Sequence, residues 1–300
     1  MPYFDVTENI VAATATIDKK IKVNNASQTI VLTCLALQDK LVFVDCGVYL
    51  EFAEKFRKDM EKRFQRKTSH LILTHTHWDH ILAMNAFKDV DIVVTKKGLA
   101  SLKKSLKGYM SPEELLEYAE QYAVEDPVLA NDIRKAELFL PNISVKDEFR
   151  INSGEKEILF KLVGNHTSGS AYVYYPQEKT LITGDNLLEC YPQLLASNWK
   201  SMDLLRSWEE MDLEHIIPGH GKPVTKEYLT KVRTYYEDLI VFLKDQIKQK
   251  ASFKDVQKHP QLPIYFAVGQ PDWQYACRHG SDWLESDLKS WYNFLKKQKE

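Results

Sequence analysis

The sequence predicts an α/β protein, on three observations. Short runs rich in β-branched residues fill two stretches, residues 10–44 and the region from 143 onward. Amphipathic helical patterns lie between those stretches and follow the second. Several runs end directly in turns containing Gly, Asn or Asp, where a strand would stop and leave polar side chains at a sheet edge. A chain of 300 residues has ample length for a sizeable core, in one large domain or two smaller ones.

Taken in order, Ile10 to Ala15, Thr29 to Leu37 and Leu41 to Val44 are expected strands, bounded by Asn24-Asn25 and Asp39-Lys40. Phe52, Phe56, Met60 and Phe64 recur every fourth residue with charges between them, which predicts an amphipathic helix. Leu71 to Thr74 and Asp91 to Thr95 are short strands, and Lys96 to Leu106 is a helix. Residues 108–142 are a helical insertion. Ser111-Pro112-Glu113-Glu114 has the form of a capping box, and Asp126-Pro127 opens a second helix in the same way. Leu115, Tyr118, Ala119 and Tyr122 give the first of these helices one apolar face, expected to pack, although an inserted helical pair could also cover a cleft.

Strands return at Ile158 to Val163, Ala171 to Tyr175 and Thr180 to Thr183. A helix around Met202 to Met211 leads into His215-Ile216-Ile217, and a long helix covers about Thr225 to Lys244. Leu284, Leu288, Trp291 and Leu295 share one helical face near the end of the chain. The expected division is a core over 1–224 with a helical C-terminal extension over 225–300 docked on it; a homodimer contact is the alternative use of that aromatic-rich surface.

Charge is nearly balanced, at a formal −2, which argues against a nucleic-acid partner because such a protein usually presents a basic face. The basic residues in Lys58 to Lys67 and at Lys103-Lys104 sit among acidic ones and read as solvated helix faces. No apolar run approaches the roughly 18 residues of a membrane span. Met1-Pro2-Tyr3-Phe4-Asp5 has neither the basic nor the apolar part of a secretory signal, so a cytoplasmic location is expected. Cys34, Cys46, Cys190 and Cys277 are widely spaced, which speaks against a disulfide framework or a cysteine zinc site. Cys34 reads as a small buried hydrophobe; Cys46 draws attention only because it follows Asp45.

Chemistry concentrates in Thr74-His75-Thr76-His77-Trp78-Asp79-His80, directly after the apolar Leu71-Ile72-Leu73. Neutral imidazole and carboxylate suit zinc and its first-row neighbours. Three further turns carry a ligand type beside small residues: Gly164-Asn165-His166-Thr167-Ser168-Gly169-Ser170, Thr183-Gly184-Asp185-Asn186 and Pro218-Gly219-His220-Gly221. Glycine there lets the backbone turn sharply and come close to an ion. Asp45, after Leu41 to Val44, fits the same pattern. His70, His215, His259 and His279 lie outside these turns and are expected to be structural or surface residues.

In their order, Asp45 to Gly221 resemble the metallo-β-lactamase superfamily, specifically its dinuclear hydrolase branch. The resemblance implies a four-layer αββα sandwich with the metals at one edge of the paired sheets. It implies that His75, His77 and His166 hold one divalent ion, that Asp79, His80 and His220 hold a second, and that Asp185 bridges the two. Asp45 would orient the ligand loops without ligating. Two ions roughly 3.5–4 Å apart can share a hydroxide and lower its pKa toward about 7. Asp79 and Asp185 would be the catalytic carboxylates, Asp79 accepting the proton and returning it to the leaving group. Zinc fits the set, with iron and manganese as alternatives.

Departures narrow the expectation. Flavodiiron reductases carry a carboxylate where this chain has His77. β-Lactamases of the superfamily lack an aspartate at the position of Asp185 and are normally exported. Its nucleases add a large domain or an RNA-gripping arm, for which residues 108–142 are too short, or too poor in basic residues and Gly/Pro. Acyl-homoserine lactonases place Tyr where this chain has Leu188, with Tyr191 out of register. Glyoxalase II enzymes share the H-T-x-G-S form of His166 to Ser170, but Gly221-Lys222-Pro223 departs from their pattern. The expected activity is hydrolysis of an ester-like bond, thioester or lactone, in a small molecule. Phosphodiester hydrolysis at the same site is the second expectation, and a non-catalytic metal-binding sensor the alternative of another class.

Overall fold

A computed structural model describes residues 2–17, 28–189, 199–263 and 282–298. Strands β1 (Tyr3–Thr7), β2 (Ile10–Ile17), β3 (Gln28–Ala36), β4 (Lys40–Val44), β5 (Lys67–Ile72), β6 (Asp91–Thr95) and β7 (Ile143–Val145) form one sheet, neighbours in chain order. The second sheet runs β12 (His215–Pro218), β11 (Thr180–Gly184), β10 (Ala171–Tyr175), β9 (Lys156–Leu162), β8 (Glu148–Ser153). Helices α1 (Leu50–Phe64), α2 (Trp78–Ile81) and α3 (Lys96–Ser105) belong to the first half. Helices α4 (Pro112–Tyr122) and α5 (Pro127–Arg134) form the insertion. The second half holds α6 (Trp199–Glu209), α7 (Lys226–Lys248), α8 (Phe253–Lys258) and a last helix, Asp282–Lys297.

The central strands β2 to β4 and β10 to β12 are largely buried on both faces, and their period of two divides the core. From β2, Ile10 and Ala12 turn inward to meet Phe160, Val173, Ile182 and Ile217 of the opposite sheet. Val11 and Ala13 turn outward to the layer of Phe56, Met60 and Leu102 from α1 and α3. The outer face of the second sheet, with Tyr172, Leu181 and Ile216, is covered by Met202, Leu205 and Trp208 of α6 and Leu229, Tyr236 and Leu243 of α7. Trp291 and Leu295 of the last helix join that cluster, so a helical C-terminal extension is present. The result is two facing sheets flanked by helices. Among the described residues no helix is long and apolar enough to cross a membrane.

β4 pairs parallel with β5, and β11 parallel with β12. Their C-terminal ends, with the turn after β9, therefore meet at one edge of the sandwich, where open α/β sheets commonly bind ligands. The edge is closed across the two sheets: Val31 N–H donates to the Gly219 carbonyl at 3.1 Å, and Gly221 N–H to that of Thr29 at 3.1 Å. The Tyr175 hydroxyl donates to the Ala36 carbonyl at 3.2 Å, a second tie between the sheets.

Several elements differ in extent from the sequence expectation. The strand expected at Leu71 to Thr74 starts at Lys67 and ends at Ile72, because the Thr74 N–H turns away from the ladder to the Asp45 carboxylate. Helix α6 begins three residues earlier than expected, and α7 runs on to Lys248. β1, β8 and the short α2 carry too little periodicity to be read in advance. Asn24-Asn25, Cys190, Tyr191, Cys277 and His279 lie outside the described residues.

The insertion is fastened to the site edge by two carboxylates. Tyr49 precedes α1 without a side-chain cap, and the buried Asp132 of α5 accepts instead from the Leu50 N–H at 3.0 Å. Asp126 caps α5 through the Leu129 N–H at 2.9 Å and accepts from the Tyr49 hydroxyl at 2.6 Å. Ser111 caps α4 as expected, accepting from the Glu114 N–H at 3.3 Å. Asp132→Ala removes the cap of α1 and is expected to cost about 1–2 kcal/mol of stability. Urea unfolding measures this; an unchanged midpoint would mean that the contact contributes nothing.

Candidate metal centre

Each donor sits where a strand has just ended. His75, His77, Asp79 and His80 follow β5, with Asp79 and His80 on α2. His166 lies in the turn between β9 and β10, Asp185 directly after β11, and His220 two residues beyond β12. These donors gather in two groups: His75, His77, His166 and Asp185, and beside them Asp79, His80 and His220, the ligand atoms of each group lying within 4.8 Å of one another.

Asp185 faces both groups. Its Oδ2 stands 3.6 Å from His75 Nε2 and 3.4 Å from His166 Nε2. Its Oδ1 stands 3.1 Å from His80 Nε2 and 3.3 Å from His220 Nε2. Asp79 Oδ2 is 3.4 Å from His220 Nε2. Most of these spacings are long for hydrogen bonds. They match the edge of a tetrahedron of donors about 2.0–2.1 Å from a shared cation, which is about 3.3–3.4 Å. His75 Nε2, His80 Nε2 and Asp185 Oδ1 are buried without a hydrogen-bond partner. Buried polar atoms are normally satisfied, so these three identify a place built for a ligand. The donor set fits divalent cations.

Behind the donors a polar layer fixes which nitrogen faces the centre. Asp45, at φ 55°, accepts from the Thr74 N–H at 2.8 Å and the Thr74 hydroxyl at 2.7 Å. The same carboxylate takes His80 Nδ1 at 3.0 Å, while Thr74 Oγ1 takes His75 Nδ1 at 3.2 Å. His220 Nδ1 reaches the Thr29 carbonyl at 3.1 Å. With Nδ1–H donating outward in each case, the Nε2 lone pair is left for the cation. Asp45 itself belongs to neither donor group. Cys46 is buried and donates its thiol to the His80 carbonyl at 3.2 Å, which spends it on the backbone.

Small residues make room for this. A Cβ on Gly219 would stand 2.0 Å from Asp185 Oδ1, and one on Gly184, at φ +51°, would stand 2.5 Å from Thr74 Oγ1. The sequence shows Gly219 plainly beside His220. It gives no signal for Thr74, for the Thr29 carbonyl, or for Asn186, whose Oδ1 accepts from the His166 N–H at 3.2 Å. His70 contacts Ser69 at 2.8 Å, and His70, His215 and His259 all lie outside both groups.

Protonation divides the two groups. Burial pushes His75, His77 and His166 below the usual histidine range, His166 to about 4, so they are neutral at pH 7. Burial also opposes charge on His80 and His220, but the Asp185 and Asp79 carboxylates outweigh it. His80 is held well above its usual value and His220 rises to about 9. Asp185 is buried too, yet the surrounding imidazoles, His220 first, keep it well below the usual carboxylate range.

The fold and this donor cluster define a metal-binding hydrolase fold with its ligands at the sheet edge. The family model of the metallo-beta-lactamase superfamily matches residues 27–220, and the chain belongs to that superfamily. Among solved structures, a metallo-beta-lactamase from Pontibacter korlensis aligns with a TM-score of 0.54 and 14% identity, over 78% of this chain and 97% of its own. The DIM-1 metallo-beta-lactamase, solved after exposure to ceftazidime, aligns with a TM-score of 0.55 and 18% identity, over 78% of this chain and 94% of its own. At such identities the likeness is one of fold. No curated protein matches the sequence.

Gly219→Ala displaces the Asp185 carboxylate, so the purified variant should retain less cation than the parent at unchanged secondary structure; equal retention would contradict the packing. A cation entering the group of His80 and His220 must displace their protons, about two at pH 7, whereas the three neutral histidines have none to give. Protons become scarcer as pH rises, so binding to that group should tighten as pH climbs toward about 9, where His220 loses its proton, while binding to the other should depend less on pH near neutrality. Calorimetry in buffers of different ionisation enthalpy reads the proton release; release below one proton on full loading would sink the assignment.

Proposed function

We propose that the protein is a metal-dependent hydrolase of ester-like bonds, thioester or lactone, in small molecules. In this reading His75, His77 and His166 would hold one divalent cation, Asp79, His80 and His220 a second, and Asp185 would serve both. The observation that carries it is the Asp185 carboxylate, with one oxygen toward the histidines of each group. Zinc is the proposed cation, since the set combines imidazole and carboxylate without thiolate. Two such cations, when bound, polarise a scissile carbonyl and supply a nucleophile from water near neutral pH.

The chain's own residues do the rest. Asp45 and Thr74 hold His80 and His75 in their ligating orientation. Asp79 is ionised despite its burial, because His80 and His220 stand against it, and an ionised carboxylate at the reacting edge can take a proton and return it to a leaving group. The Thr167 N–H donates to Ser170 Oγ at 2.9 Å, closing the turn that presents His166. That turn has the H-T-x-G-S form, which supports a glyoxalase II-like relationship within the superfamily.

A panel of thioesters, lactones and phosphodiesters tests this on cation-reconstituted protein. Turnover of a thioester or lactone is expected, lost upon chelation and restored by the cation. In His77→Ala turnover should fall by at least about 100-fold at unchanged fold, as expected for loss of a ligand. Turnover confined to phosphodiesters would move the reading to that class. Full loading without turnover of any of the three would leave a metal-binding sensor in its place.

A further inference from the structure

The donors of the centre differ in exposure. His75, Asp79, His80, Asp185 and His220 are buried, whereas His77 and His166 keep partial exposure. Trp78 follows His77 in the chain and is likewise half-buried, as is Tyr118 of α4, which packs on it. Their rings meet edge to face, with centroids 5.2 Å apart and planes at 85°. Tyr122, buried behind them, lies 5.1 Å from the Tyr118 ring, and the two hydroxyls are 2.9 Å apart.

Packing alone accounts for Tyr122, which belongs to the cluster that fixes the insertion. Tyr118 packs at the edge of the same cluster but stays half-buried, with Asp79 near enough for its charge to act on the phenol. Where the buried Tyr122 donates to Tyr118, the Tyr118 hydrogen is left for a third group. Burial raises both phenols above their usual pKa, and the nearby Asp79 charge raises them further. Each is therefore a neutral donor across the physiological range, suited to a neutral oxygen. An edge-to-face aromatic pair favours a flat or apolar body laid against it.

We propose that Trp78 and Tyr118 form one wall of the substrate pocket beside the centre. The wall selects uncharged esters and lactones with an aromatic or long acyl body, and the Tyr118 hydroxyl is the specificity-determining donor to a neutral substrate oxygen. This rests on the hydrolase reading above and narrows its substrate class. It also gives the insertion a second role: α4 brings to the cleft a side chain that the sandwich itself does not supply.

Cation-loaded parent, Tyr118→Phe and Tyr118→Ala are compared with 4-nitrophenyl phenylacetate, 4-nitrophenyl acetate and 4-nitrophenyl hemisuccinate. Binding of phenylacetamide, which is not hydrolysed, is followed by calorimetry. The parent should favour the phenylacetyl ester over both others. In Tyr118→Phe, KM for that ester should rise about 5-fold with kcat little changed, as for one lost neutral hydrogen bond. In Tyr118→Ala the preference over the acetyl ester should fall by about 5- to 10-fold, as for a lost aromatic contact. Cation content and unfolding midpoint identify any variant that fails to fold; in that case Tyr118→Phe carries the test. Unchanged KM and unchanged preference in correctly loaded variants would overturn the proposal. Should the parent hydrolyse no ester, the hydrolase reading fails separately, and the pocket is judged on phenylacetamide: weaker binding to Tyr118→Ala supports it, equal binding or none to the parent rejects it.

Discussion

Asp185 places a carboxylate where water barely reaches, and the groups around it must supply what solvent would otherwise give. An isolated buried charge is expensive, and proteins pair it, neutralise it or bind a metal with it. Here four imidazoles, from His75, His80, His166 and His220, stand around its two oxygens at 3.1–3.6 Å. Asp185 and Asp79 favour the charged form of His80 and His220, which pairs those imidazoles with the carboxylates. The same spacings suit donors around a cation, so the fold and the candidate metal site answer one electrostatic demand.

That demand explains the layering around the centre. Asp45 lies behind the imidazoles and takes its hydrogen bonds from Thr74 and His80 in a backbone conformation that a non-glycine residue rarely adopts. The strand ending at Ile72 stops because the next free N–H belongs to that carboxylate. Gly219 and Gly184 are small because a side chain at either would occupy the space of Asp185 or Thr74. The sandwich delivers all these turns to one edge because its strands β4, β5, β11 and β12 end there in parallel pairs.

Much of this was legible in the sequence. Strands β6 and β10 have the bounds expected, because Asp91–Thr95 and Ala171–Tyr175 are short β-branched or aromatic runs between clear turn signals. The donors could be named because ligand side chains beside glycine leave a dense local pattern. What could not be read depends on tertiary contact. The capping of α1 by Asp132 joins residues 82 positions apart, and Thr29 serves His220 through its carbonyl, which any residue possesses. The contact of Tyr118 was similarly hidden: helical spacing marks it as apolar packing, and only the docking of α4 sets its ring against Trp78.

The central claim is that Asp185 joins two cations into one centre. X-ray absorption on the fully loaded protein measures this directly. A metal–metal distance of about 3.5–4 Å, with imidazole and oxygen neighbours at about 2.0–2.2 Å, is the predicted result. Loading that stops at a single cation, or two cations without mutual scattering at that distance, would contradict it.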